Sequence, residues 1–303
     1  MMKRAILALA TIFVTTFSYA NTDSLRTQIA EYCNNYRATV GVSVIFIEDS
    51  DSLSINGNKM IPMLSVYKLP IAMCVLNNVD KGLLTLQTPV RITPEDMHKN
   101  TWSPLRDVLR NTDTSLSLTD IIKYTLIQSD NNCSDILLKT IGGVKTVQTY
   151  LKEISQPSIE VNNSEWEIFQ SPNLIYSNRA TPNDVVSLLN KLYTQKLFSD
   201  SCFNFLWETL SDCTTGNNRI KGKLPKEIVV AHKTGTSFTT NEGVTPVIND
   251  VGIITLPNGK HIALAIFVSE SKENRATNEK IIADIAELIY QYIPICNKNI
   301  QLK

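Results

Sequence analysis

Met63-Leu64-Ser65-Val66-Tyr67-Lys68-Leu69-Pro70 joins a segment that reads as strand to a long apolar segment that reads as helix. Upstream, residues 40–47 are rich in β-branched side chains, and residues 52–55 form a second short strand across a polar turn. Downstream, Ile71, Ala72, Val75 and Leu76 continue as a buried helix. Pro70 falls in its first turns, where a missing N–H does least harm. Ser65 therefore sits at or near a helix N-terminus, where free N–H groups and the dipole favour developing negative charge. Residues three apart share a helix face, so the Ser65 hydroxyl and the Lys68 amine can meet. A serine beside an amine that takes its proton is one recipe for an activated nucleophile. Alone, however, a Ser-x-x-Lys pair arises often by chance.

Outward from this stretch, residues 23–36 read as an amphipathic helix with Leu25, Ile29 and Tyr32 at helical spacing. Apolar stripes mark helices at 118–128, 135–139, 143–153, 183–195 and 203–210. Thr181-Pro182 is a helix start. The polar loop from 156 to 179 is long enough to be either disordered or functional. Strands follow at 228–231, 249–256 and 261–268, the last two joined by a Pro257-Asn258-Gly259 turn, and a helix over 276–292 closes the chain. Strands at both ends with helices between them predict an α/β protein of the α+β kind. It would have one antiparallel sheet flanked by helices and an inserted all-helical lobe. The expected division is 21–62 with 215–303 as sheet lobe and 63–214 as helical lobe, together one catalytic domain.

Lys3 and Arg4, the apolar run from Ala5 to Phe17 and the small residues Ser18-Tyr19-Ala20 have the layout of a secretory signal. The run is too short to span a bilayer comfortably. Cleavage after Ala20 predicts a soluble, periplasmic protein with no stable membrane association. Its 303-residue precursor carries 29 basic and 29 acidic residues, so nothing in the charge points to nucleic acid. Six scattered cysteines, none in a C-x-x-C pair, argue against a disulfide scaffold and a structural zinc. Cys33 with Cys296 is a conceivable pair on the terminal helices. Cys202 and Cys213, read as lying in one continuous helix, would be about 16 Å apart and could not bond. No metal or cofactor is expected, and no coiled-coil signal argues against a monomer.

Three further clusters complement Ser65 and Lys68. Ser129-Asp130-Asn131 ends one helix and begins the next, Lys233-Thr234-Gly235 ends a strand, and Glu165 lies in the long loop. S-x-x-K, S-D-N and K-T-G in that order mark class A β-lactamases and penicillin-binding proteins. On these residues the mature chain resembles the class A serine β-lactamases along essentially its whole length, with the β-lactamase/D-Ala-D-Ala peptidase-like fold. The resemblance implies that Ser65 attacks a lactam carbonyl, while Lys68, or Glu165 through a water, accepts its proton. It implies an oxyanion hole of the Ser65 and Thr236 backbone N–H groups. Ser129 would relay a proton to the leaving nitrogen with Lys68 and Lys233 holding its hydroxyl, and Asn131 would bind the acyl amide. Lys233, Thr234, Gly235 and Thr236 would line the carboxylate end. Arg219, fourteen residues before Lys233, resembles the arginine that some branches place there. Trp102 would wall the pocket mouth. Glu165 stands seventeen residues before Pro182, the spacing that favours it over Glu167 as the base for deacylation.

The long loop departs from the family pattern. Phe169 stands where an asparagine is usual, with Gln170 as a possible substitute water ligand. Asn163 and Asn178 replace the arginine and aspartate that fasten the loop, so an altered loop path, peptide isomers included, is expected. Such departures resemble the extended-spectrum, cephalosporin-preferring branch. Chain composition excludes other chemistries: no Gly-x-Ser-x-Gly elbow exists, and His98, His232 and His261 are too scattered for a metallo-enzyme. His232 should point away from Lys233's face of its strand, for packing. Leu64 and Ser237 occupy the positions where a carbapenemase-type disulfide would need cysteines. Two alternatives share the motifs: a D-Ala-D-Ala peptidase that β-lactams inhibit, and a sensor module that stays acylated.

Overall fold

The computed structural model describes residues 22–109 and 113–301, with side chains as far as Tyr292. The leader expected over 1–20 and the side chain of Cys296 lie outside the described residues. In chain order the elements are α1 (Thr22–Cys33), β1 (Thr39–Phe46), β2 (Asp51–Ile55), β3 (Ile61–Pro62) and α2 (Lys68–Asp80), then β4 (Pro89–Ile92), α3 (Pro104–Leu109) and β5 (Thr114–Ser117). A helical run follows: α4 (Leu118–Ile127), α5 (Asn131–Ile141), α6 (Val144–Glu153) and α7 (Glu165–Gln170). The short β6 (Arg179–Ala180) precedes α8 (Pro182–Thr194) and α9 (Asp200–Ser211). The chain closes with β7 (Val230–Thr236), β8 (Thr245–Thr255), β9 (His261–Ser271) and α10 (Arg275–Gln301).

Five strands form one antiparallel sheet in the order β2-β1-β9-β8-β7. Its central strand shows why the sequence gives a three-layer structure. In β9, Ala263, Ala265 and Phe267 pack toward the helical lobe, and Ile262, Leu264, Ile266 and Val268 pack with α1 and α10. Both faces are covered, so the strand reads as an uninterrupted apolar run rather than an alternation. Burial of this kind is worth about 25 cal/mol per Å² of apolar surface removed from water, which makes the two cores the main stabilising term. No helix among the described residues is long and apolar enough to cross a membrane.

Two elements differ from the sequence reading. The pair β4–β5 was not expected, because its four-residue strands are too short to give a periodic pattern. Lys233-Thr234-Gly235 lies inside β7 rather than at its end, since β7 continues through Thr236 along β8. The 156–179 loop is ordered around α7 and a 3-10 turn at Pro172–Tyr176.

Candidate active site

The nucleophile stretch is a 3-10 turn, Leu64–Tyr67, leading into α2. Leu64 holds a left-handed backbone (φ 46°) directly after the right-handed Met63 (φ −82°, ψ −29°), and this reversal turns the chain into the helix. Lys68, first residue of α2, is fully buried. Its Nζ donates to Ser129 O at 2.7 Å and Asn131 Oδ1 at 2.5 Å, and lies 3.2 Å from Glu165 Oε1. Ser65 Oγ is not among its hydrogen-bond partners, so the Ser65–Lys68 bond that spacing alone suggests is replaced by a clamp on three other residues.

Ser129 also carries a left-handed backbone (φ 60°), at the sharp corner between α4 and α5. Its hydroxyl accepts from Lys233 Nζ at 2.8 Å. Lys68 therefore holds the Ser129 carbonyl and Lys233 the hydroxyl, whereas sequence reasoning assigned both amines to the hydroxyl. Asp130, the middle residue of the triplet, received no role from sequence. It is fully buried, caps α5 through Cys133 N at 2.9 Å, and accepts from Ser103 Oγ and Leu105 N. It thereby fixes the loop that carries Trp102. Asn131 Nδ2 donates to Thr101 Oγ1 at 2.7 Å on that same loop. The Trp102 indole N–H donates to Gln128 O at 2.8 Å, and the residue is 62% exposed.

Glu165 begins α7, and local sequence explains its placement. Ser164 is the helix cap: its Oγ accepts from Glu167 N at 3.2 Å, and Glu167 Oε2 accepts from Ser164 N at 2.8 Å. This capping box occupies Glu167 and leaves Glu165 turned inward to Lys68. Ser164-x-x-Glu167 is a second signal in the sequence that separates the two carboxylates, beside the spacing to Pro182 that sequence reasoning used. Asp135 of α5 takes the backbone N–H groups of Glu165 and Trp166, each at 2.8 Å. Burial, then the nearby Glu165 charge, push the Asp135 carboxyl up to about 7. Trp166 is sandwiched between His98 (rings 3.8 Å apart) and Phe169 (5.4 Å), so Phe169 packs on the loop, and Gln170 is exposed.

At the neck of this loop, buried Asn178 accepts from Asn162 N (2.7 Å) and Asn163 N (3.0 Å) and donates to Asn163 O (2.8 Å). The fastening is amide to backbone rather than amide to amide. One register outside it, Arg179 and Glu160 pair through their backbones and form an ion pair at 2.8 Å, which sequence reasoning missed. The loop contains no cis peptide bond.

Strand β7 supplies the opposite wall. Lys233 is fully buried, and burial together with the charge of Lys68 pulls its amine down to about 7. Ser237 N bonds Val247 O of β8. Since N–H groups alternate sides along an antiparallel pair, that of Thr236 points to the free edge. Thr234 Oγ1 lies 2.6 Å from Thr215 Oγ1. Arg219 is 2% exposed and donates to Gly235 O, Asn249 O and Thr236 Oγ1 (2.7 Å), with Glu279 alongside at 3.3 Å. Its guanidinium is thus committed to β7 and the strand's neighbour. The His232 side chain leaves β7 on the other face, where Nδ1 meets Asp250 Oδ1 at 2.8 Å. The five cysteines with described side chains, Cys33, Cys74, Cys133, Cys202 and Cys213, are free and buried.

A buried lysine bridging a serine-bearing turn, an S-D-N corner and a loop carboxylate, with a K-T-G strand facing it, defines a serine acyl-transfer site. The matching family model is that of the β-lactamase enzyme family, over residues 24–293, and the chain belongs to that family. Beta-lactamase VEB-1 of Pseudomonas aeruginosa is 42% identical over 293 residues, covering 96% of this chain and 97% of the relative. Among solved structures, the TLA-3 extended-spectrum beta-lactamase matches with TM-score 0.88 and 42% identity, covering 90% of this chain and 99% of that one. A class A beta-lactamase from Bacteroides cellulosilyticus matches at TM-score 0.86 and 35% identity, covering 89% and 97%. The chain is a class A serine β-lactamase that resembles the extended-spectrum branch.

Proposed function

We propose the following division of labour for this enzyme, which hydrolyses β-lactam antibiotics and so confers resistance to them. Ser65 is the nucleophile and forms the acyl ester. The oxyanion sits between the backbone N–H groups of Ser65 and Thr236, a reading supported by the outward N–H of an edge strand. Ser129 passes a proton to the departing nitrogen, with Lys233 fixing its hydroxyl. Lys233, Thr234 and Thr236 take the substrate carboxylate. Arg219 acts on that carboxylate through Thr236, whose hydroxyl it holds at 2.7 Å, while Gly235 keeps the strand close. Asn131 and the exposed Trp102 ring bind the acyl side chain. The base for acylation is Lys68 or Glu165, which share one polar network. The protein acts as a monomer in the periplasm, the leader-like 1–20 segment being the support for export.

One observation carries the hydrolytic reading: Glu165 lies within 3.2 Å of buried Lys68, held there by a capped helix and by Asp135. An acyl-serine needs such a base to activate water. The test is nitrocefin turnover followed by mass spectrometry. Wild type should turn over many times, and Glu165→Ala should acylate once and accumulate the ester, slowed in release by roughly 10²–10⁴-fold. A single stoichiometric burst from wild type would favour the peptidase or sensor reading, and unchanged release in the variant would remove Glu165 from its role.

A further inference from the structure

Behind β7, on the face opposite Lys233, lies a second polar cluster that the acyl-transfer site does not use. Cys213 follows α9 and is 3% exposed. Its sulfur lies 3.3 Å from Thr215 Oγ1, the same hydroxyl that meets Thr234 at 2.6 Å. His232 is 1% exposed, with Nδ1 on Asp250 and Nε2 buried without a hydrogen-bond partner, and Cys213 is among the groups that act on its ring. Asp250 is itself anchored by Ile220 N at 3.1 Å. Cysteine, imidazole and carboxylate thus share one buried cluster, the set of groups that activates a thiol.

We propose that Cys213 is a covalent modification site, at which a small neutral disulfide, admitted by opening of the exposed turn at 214–218, forms a mixed disulfide and switches the enzyme off. The charges around the thiol favour its anion. His232 and Lys233 on β7 are cationic neighbours, Lys221 Nζ lies 3.2 Å from the Cys213 carbonyl, and Asp250 stabilises the charged imidazole. Against its burial, the thiol is held down to about 7, while those of Cys33 and Cys74 are pushed up to about 11, and Cys133 and Cys202 are raised too. In the step, the Cys213 thiolate attacks one sulfur of the disulfide. The reagent's S–S bond breaks as the new one forms, and the departing thiolate takes a proton from the solvent.

Inactivation follows from packing. The turn has no slack: a Cβ on Gly216 would lie 2.5 Å from Thr234 Cγ2. A group added to the Cys213 sulfur must therefore displace Thr215 and Gly216 from Thr234, and it also removes a negative charge that supports protonation of Lys233.

The probe is 2,2′-dithiodipyridine, with release of pyridine-2-thione as a readout independent of any β-lactam. One equivalent should leave in a fast phase whose pH midpoint lies near 7 instead of the ordinary thiol range around 8.5. Turnover should fall in step and return with a reducing thiol. Cys213→Ala should lack the phase and keep turning over in the reagent, and His232→Gln should move the midpoint upward. Peptide mapping of labelled wild type locates the adduct even if a variant fails to fold. An adduct on another cysteine, or full labelling of Cys213 with undiminished turnover, would overturn the proposal.

Discussion

Lys233 is the residue at which burial and function pull in opposite directions. A carboxylate-binding amine must be charged, yet its buried position beside Lys68 draws it down to about 7. The free enzyme therefore loses the charge as pH rises through that value, and a bound anionic substrate, which favours the protonated amine, shifts the loss upward. We expect kcat/KM to fall by roughly tenfold per pH unit above about 7, with the limb in kcat displaced to higher pH. Lys233→Arg, whose guanidinium stays charged, should flatten the limb in stopped-flow measurements. A wild-type profile level from acid to alkaline would contradict this. At this scale the sequence was most informative, because Ser65, Lys68, Ser129 and Lys233 belong to fixed short motifs. Asp135 was illegible for a physical reason: it acts on backbone N–H groups thirty residues away, and backbone donors leave no trace in residue identity.

At the level of elements, the neck of the loop carrying the base is fastened by a single amide. Asn178 is 1% exposed and satisfies two N–H groups and one carbonyl across the loop neck. Asn178→Ala should cost about 1–3 kcal/mol for each group left buried and unpaired. Because α7 is only six residues long, it relies on anchors outside itself, Asp135 and the neck. Deacylation should then slow more than acylation, seen as acyl-enzyme accumulating during turnover while the melting temperature drops. Equal slowing of both steps would show that the neck does not position Glu165. The surface ion pair Arg179–Glu160, half exposed, should contribute far less when removed. Helices with long apolar stripes were readable from sequence, whereas this loop was not. Its order comes from a cap and from the side chains of Asp135 and Asn178, not from periodicity.

The whole molecule works because the sheet and the helical lobe meet with almost no clearance at the nucleophile. A Cβ on Gly235 would lie 2.3 Å from the Met63 carbonyl oxygen, a backbone atom that cannot swing aside. Asn249 of β8 reinforces the junction, donating to Pro62 O and Met63 O at 2.9 and 3.2 Å. The distance between β7, with Thr236, and the turn bearing Ser65 is therefore set by the absence of one methyl group. Gly235→Ala must push the strand off the turn, opening the space between the two N–H groups assigned to the oxyanion. A misplacement of about 1 Å at such a site costs on the order of 10²-fold in rate, so kcat/KM should fall by at least that much. Ser65 should still be reachable, so a reactive phosphonate would phosphonylate it, and a β-lactam acylate it, slowly rather than not at all. Both cores remain packed, and unfolding should stay cooperative with only a modest drop in melting temperature. Near-wild-type kcat/KM in a folded Gly235→Ala protein would mean that the strand approach does not set the geometry of the reaction.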